Sequence, residues 1–221
     1  MNSQRRWLIG SAVFATAVFA VVWLGYAQAW TWLAEADLTA LESFERIGTA
    51  HPAWVTGWDI YCTVLGPTVL RLLGVAVIVA AIIRRQFRIA VFLLLTVELC
   101  GLLLVLTKAV VDRPRPATAL VDAYSTSFPS GHALGVMVCV LAYLTLLLPL
   151  LPPAARGWAV AVGVVVIVTI GVGRVVLNVH HPSDVVAGWA LGYAYFVACW
   201  SLYPPRVSPA VETPPVPGIA R

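Results

Sequence analysis

Residues 157–177 read GWAVAVGVVVIVTIGVGRVVL, and this stretch decides the fold class. It carries one charge, Arg174, close to its end. At a rise of about 1.5 Å per residue, a helix of this length spans the roughly 30 Å hydrocarbon core of a bilayer. Lipid offers no water to backbone amides, so such a run must satisfy its own hydrogen bonds, as an α-helix. Five further segments have the same character: 8–27, 66–83, 89–107, 132–151 and 185–203. Each is bounded by charge, proline or a polar turn, and none alternates as barrel strands do. The expectation is an all-α polytopic membrane protein, a bundle of six transmembrane helices within residues 1–203.

Composition agrees. Apolar residues make up 61% of the 221 and charged residues 11%, against about a quarter charged in soluble domains; mean hydropathy is +0.90. A water-soluble globule and a mostly disordered chain are both excluded. The net charge of +4 comes from scattered residues, only one of them lysine, which argues against nucleic acid as a partner. Cys62, Cys100, Cys139 and Cys199 lack metal-ligand or redox spacing and read as small buried hydrophobes.

Between the first two spans lies an external segment, 28–65. Trp32, Leu33, Ala36, Ala40, Leu41, Phe44 and Ile47 recur at helical spacing there, with Glu35, Asp37, Glu42 and Glu45 elsewhere on the wheel. That pattern predicts a helix along the membrane interface, either a lid over the bundle or a guide for a lipid. Residues 204–221 hold six prolines and read as an extended or disordered cytoplasmic tail. Arg5, Arg6, Arg84, Arg85, Arg88, Arg156, Arg206 and Arg221 fall on one side of the six-span layout, which puts both termini in the cytoplasm. Arg5-Arg6, the apolar run and Ala27-Gln28-Ala29 resemble a secretory signal, but the run is long for one and reads as an uncleaved anchor.

Three polar clusters stand out at span ends, all on the external side. The first is Lys108-Ala-Val-Val-Asp112-Arg113-Pro114-Arg115-Pro116; the second is Phe128-Pro129-Ser130-Gly131-His132. The third runs from Gly173-Arg174 through Asn178, His180 and His181 to Pro182-Ser183-Asp184. If Lys108, Arg115 and Arg174 converge, three cations without acidic partners would repel one another unless an anion binds, and forked guanidinium donors suit phosphate oxygens. Ser130-Gly131 opening a helix offers free backbone N–H groups and a positive dipole end. Asp184, four residues after His180, can hold one imidazole nitrogen and leave the other free to attack; the alternative is a helix-capping Asp beside an incidental His. His132 could protonate the departing oxygen. A metal shared by His180 and Asp184 is disfavoured by the neighbouring cations, so no metal or other cofactor is expected. His181 should point elsewhere, and His51 reads as surface. Glu98, deep in the third span, is expected to be neutral and hydrogen-bonded to another helix, the alternative being a role in substrate passage or proton movement. Arg71 is placed to meet a headgroup or the interfacial segment, and Asp112 and Asp122 read as solvated loop residues or partners of nearby Arg.

Lys108 to Pro116 fits K-x6-R-P, residues 129–132 are P-S-G-H, and Arg174, His180 and Asp184 fit R-x5-H-x3-D. In order and placement these motifs resemble the type 2 phosphatidic acid phosphatase superfamily, membrane lipid phosphatases related to vanadium-dependent haloperoxidases. The resemblance implies hydrolysis of a lipid phosphate or diphosphate at the extracytoplasmic face of a membrane, through a phosphohistidine on His180 held by Asp184. It further implies His132 as acid and then base, with Lys108, Arg115, Ser130, Gly131 and Arg174 binding the phosphoryl group without a metal. Undecaprenyl diphosphate, phosphatidylglycerophosphate and phosphatidic acid are the candidate substrates, and the compact chain suggests a bacterial inner membrane. Gly173 stands where the family usually has Ser, so one hydroxyl donor is missing, to be replaced by backbone N–H or by Asn178. Arg113 competes with Arg115 for the motif role, and the spacing from Lys108 favours Arg115. The competing readings are a non-catalytic lipid-phosphate binding or transport protein with a relic pocket, and a vanadate-dependent oxidant enzyme.

Overall fold

The computed structural model describes residues 3–206. The proposed tail lies mostly outside the described residues. The helices are α1 (Ser3–Ala27), α2 (Thr31–Ala50), α3 (Pro52–Val64), α4 (Pro67–Ile83), α5 (Phe87–Leu93), α6 (Cys100–Val111), α7 (Gly131–Leu147), α8 (Pro153–Val176) and α9 (Pro182–Leu202). A π-helical turn, Leu94–Glu98, joins α5 to α6. No strand occurs among the described residues. Among the described residues, six helical stretches are long and apolar enough to cross a membrane: Arg5–Ala27, Pro52–Ile83, Phe87–Val111, Gly131–Leu150, Pro153–Val176 and Pro182–Leu202.

The outward surface explains the composition. Phe14, Leu72, Val105, Val164 and many other large apolar side chains are exposed, a surface water would not tolerate but lipid does. The interior centres on α7, which packs against α4, α8 and α9, while α1 lies along α9. Gly188 and Gly192 of α9, four residues apart, let α7 approach closely: a Cβ at Gly188 would stand 2.7 Å from the Ser130 carbonyl. Small residues at this spacing are a common device for helix packing in membranes.

The segment 28–65 holds the expected helix as α2 and also a second, α3, which packs on α8 and belongs to the membrane-long stretch Pro52–Ile83. One expectation needs correction: Asp37 is not on the solvated side of α2. It is buried on the same face as Leu41 and Gly48, because that face meets α8 and α9.

Candidate active site

The ends of four helices bring the polar clusters together: the C-termini of α6 and α8, and the N-termini of α7 and α9. Each end has a local cause. At the end of α8, Asn178 takes left-handed backbone with φ 52°. Its N–H donates to Val175 O at 2.8 Å, and Val179 N–H donates to Arg174 O at 3.2 Å. This bond pair closes a helix through a left-handed residue, a conformation asparagine tolerates well. The reversal carries His180 back over the bundle. α9 then opens on Pro182, suited to a first helical position, and Asp184 accepts the His181 N–H at 2.8 Å. Ser130 caps α7, accepting from Ala133 N–H at 3.5 Å.

Lys108, Arg115, Gly131, His132, Arg174 and His180 all border one cavity of about 380 Å³. Asp184 and Ser130 are buried behind it. There, Ser130 N–H donates to the Asp184 carbonyl at 2.9 Å, tying the start of α7 to the start of α9.

The cavity is positive: Arg71, Lys108, Arg115 and Arg174 border it against one carboxylate, Asp122. Among the described residues, ion pairs form at Arg71, Arg113, His180 and His181, and no carboxylate pairs with Lys108, Arg115 or Arg174. Carbonyls hold two of these cations. Lys108 donates to Thr126 O, and Arg115 donates to Ser125 O at 2.9 Å, Tyr124 O at 2.9 Å and Val179 O at 2.6 Å. Arg174 is buried, and its Nε has no partner among the described residues. Burial, then the charge of Arg174, lowers the pKa of Arg115. Cations held this way away from bulk water attract an anion strongly.

His180 is neutral near pH 7. Burial pushes its pKa down to about 4, with Arg115 and Arg174 adding to the shift against the pull of Asp184. Its Nε2 lies 3.3 Å from Arg115 Nη1. Its Nδ1 is 3.5 Å from Asp184 Oδ2, longer than a formed hydrogen bond, and has no other partner. Asp184 is crowded. Oδ1 accepts from Arg113 at 2.7 Å; Oδ2 accepts from Ser127 Oγ and His181 N–H, and lies 3.1 Å from His181 Nδ1. Capping and orienting are thus combined in one carboxylate. His181 does not point elsewhere as expected, because the first turn of α9 folds its ring onto Asp184.

Behind Asp184 lies a network of charged and polar groups that the spacing does not reveal. Arg113 turns away from the cavity and bridges Asp184 to Asp37 of α2 at 2.8 Å, with its guanidinium 4.7 Å over the Tyr26 ring. Asp37 also accepts from Ser183 N–H at 2.9 Å and Ser183 Oγ at 2.5 Å. Arg115, not Arg113, borders the cavity. The sequence clue to Asp37 is its position four residues from both Leu33 and Leu41, on the apolar stripe.

Three further expectations are settled. Asn178 cannot supply the missing donor: its amide donates to Leu41 O and Thr118 Oγ1, both at 3.0 Å. Gly173 is a packing residue, where a Cβ would stand 2.6 Å from Cys62 Sγ and 2.8 Å from the Trp58 ring. Glu98 is hydrogen-bonded to another helix, as expected, and its partner there is Arg71 of α4 at 3.2 Å.

Residues 88–208 match the model of the PAP2 superfamily. The chain belongs to the PAP2 superfamily. It is 38% identical over 90 residues to phosphatidylglycerophosphatase B of Bacillus subtilis, covering 39% of this chain and 44% of that one. It is 33% identical over 118 residues to undecaprenyl-diphosphatase of Sulfolobus acidocaldarius, covering 50% and 53% respectively. The matches thus span about half the length of these relatives. The crystal structure of a transmembrane PAP2-type phosphatidylglycerolphosphate phosphatase from Bacillus subtilis superposes with a TM-score of 0.77 at 24% identity, covering 87% of this chain and 95% of that one. The PAP2 fold in membrane-spanning form is therefore shared over most of the chain.

Proposed function

We propose that the protein hydrolyses a lipid phosphate or diphosphate through a phosphohistidine intermediate. The observation that carries this reading is the single cavity bordered by two histidines and three cations that lack carboxylate partners. The names of the two relatives, a phosphatidylglycerophosphatase and an undecaprenyl-diphosphatase, support the substrate class.

In this mechanism Lys108, Arg115, Arg174 and the N–H groups at the start of α7 hold the phosphoryl oxygens, and Ser130 fixes that helix end. Neutral His180 attacks with Nε2 while Asp184 takes the Nδ1 proton as a hydrogen bond and stabilises the developing cation. A P–N bond forms as the P–O bond to the lipid breaks, and His132 donates its proton to the leaving oxygen. The substrate's own negative charge is the counter-ion that an imidazolium at His132 needs. His132 then removes a proton from water; the hydroxide attacks phosphorus, the P–N bond breaks and inorganic phosphate leaves. Both histidines end as they began. Positioning and charge supply most of the acceleration. A divalent cation would have to enter against three positive charges, and Asp184, behind the cavity wall, is saturated by Arg113, Ser127 and His181, which leaves Asp122 as the one carboxylate on that wall.

We further infer that the cavity opens on the extracytoplasmic side of a cytoplasmic membrane, with both termini inside. Arg84, Arg85, Arg88 and Arg206 gather at the bundle end opposite the cavity, as the bias of basic residues toward the cytoplasm requires. Phosphate release from a lipid phosphate by purified protein in EDTA, abolished in His180→Ala, is the expected result. Binding without release by the intact protein would reduce it to a lipid-phosphate binding protein.

A further inference from the structure

The Arg71–Glu98 pair is not used by the mechanism above. It lies within two membrane-spanning stretches, where ionised side chains are costly and rarely without a task. The chain is deformed to make it. Leu99 N–H reaches back five residues to Leu94 O at 3.1 Å, the bond of the π-helical turn that ends at Glu98. Such turns often mark functional positions. The Leu95 carbonyl in that turn accepts from Tyr195 Oη of α9.

Arg71 commits only one edge of its fork. Nε and Nη2 donate to Glu98 Oε2 at 3.3 and 3.2 Å, and Nη2 also donates to Glu98 O at 3.2 Å. Nη1 has no hydrogen-bond partner among the described residues. Instead it lies over Gly101 of α6, where a Cβ would stand 3.2 Å from it. Arg71 and Gly101 both border the cavity that holds Lys108, Arg115, Arg174, His132 and His180. Gly101 is seven residues from Lys108 along α6, roughly 10 Å toward the middle of the span. Arg71 is four residues inward from Pro67, the first residue of α4. One cavity therefore runs from the cations around His180, past Leu104, to a cation deeper between α4 and α6.

We propose that Arg71, steadied by Glu98, is a second phosphate subsite that recognises the lipid-linked phosphate of a diphosphate substrate. The inference rests on the phosphatase reading above and narrows it. A lipid diphosphate bound with its terminal phosphate against His180 puts its second phosphate on the membrane side, where Nη1 is free to donate. A lipid monophosphate has no group there. Glu98 fixes the guanidinium and offsets its charge when the subsite is empty.

The test measures binding of farnesyl diphosphate and farnesyl phosphate to full-length protein carrying His180→Ala, so that neither ligand turns over. Adding Arg71→Gln together with Glu98→Gln leaves a neutral hydrogen-bonding pair, so no lone charge is left in the span. Binding of the diphosphate should weaken about thirtyfold, the size of one charge-assisted hydrogen bond. Binding of the monophosphate should change less than about threefold. Glu98→Gln alone should leave diphosphate binding intact or tighter, since the cation is no longer neutralised; a merely structural pair would weaken both ligands alike. Equal losses for the two ligands, or none, would overturn the subsite. Discrimination in binding alongside absent turnover by the intact protein would leave the subsite standing and sink the phosphatase reading instead.

Discussion

Asp37→Ala offers a sharp test of whether α2 helps build the site. The substitution removes an acceptor that serves Ser183 N–H, Ser183 Oγ and Arg113 Nη2. It leaves the Arg113 guanidinium, about nine-tenths buried, with half its counter-charge. Breaking a buried pair from one side costs about 3–5 kcal/mol. Arg113 keeps Asp184 at 2.7 Å and the Tyr26 ring at 4.7 Å, which places the expected loss near the lower end, about 3 kcal/mol. For a chain of this size that corresponds to roughly a 10 °C fall in thermal midpoint, read in detergent from tryptophan fluorescence. The first turn of α9, which carries Asp184, also loses its tether to α2. We expect kcat to fall about tenfold, the equivalent of about 1.4 kcal/mol of lost orientation at His180, while KM stays within about twofold because Asp37 does not border the cavity. In a double-mutant cycle with Arg113→Met, the two losses should be strongly non-additive. Unchanged midpoint and kcat in Asp37→Ala, or simple additivity with Arg113→Met, would refute the coupling of α2 to the site.

Two further outcomes follow from the same geometry. With its pKa pushed down to about 4 by burial, His180 should keep kcat/KM free of a His180 acid limb at its ordinary value near 6.5. Because the unfolded chain binds this proton more readily, stability contributed by neutral His180 is complete above about pH 6.5 and is lost as pH falls toward 4, at up to about 1.4 kcal/mol per pH unit. His180→Gln should lack that slope, and equal slopes in the two proteins would contradict the assignment. Restoring the family's usual residue with Gly173→Ser should not raise kcat. It should lower stability by about 1–3 kcal/mol through overpacking against Cys62 and Trp58, with partial recovery in Cys62→Ala; a gain in kcat at unchanged midpoint would show room for the hydroxyl after all.

Much of the fold was legible because the bilayer imposes simple rules: long apolar runs become helices, and charge bounds them. The motif residues were legible because few polar groups interrupt those runs, so Lys108, Arg115, His132, Arg174 and His180 stood out. What spacing could not give was the layer behind them. Asp37 meets Arg113 and Ser183 across more than seventy residues of chain, and only the packing of α2 on α8 and α9 makes that contact. His181 and Asn178 were misjudged for a related reason. A capped turn and a left-handed residue redirect their side chains by local geometry, and residue type alone does not encode that. The Arg71–Glu98 pair likewise depends on a one-residue π-helical insertion that no hydropathy pattern signals.

The most direct test quenches the purified protein in base within milliseconds of mixing with a terminally ³²P-labelled lipid diphosphate and maps the label by mass spectrometry. A base-stable, acid-labile phosphoryl group on His180 that vanishes on His180→Ala and accumulates on His132→Ala is the predicted result. Phosphate released at full rate with no label on His180, or with label on another side chain, would contradict it.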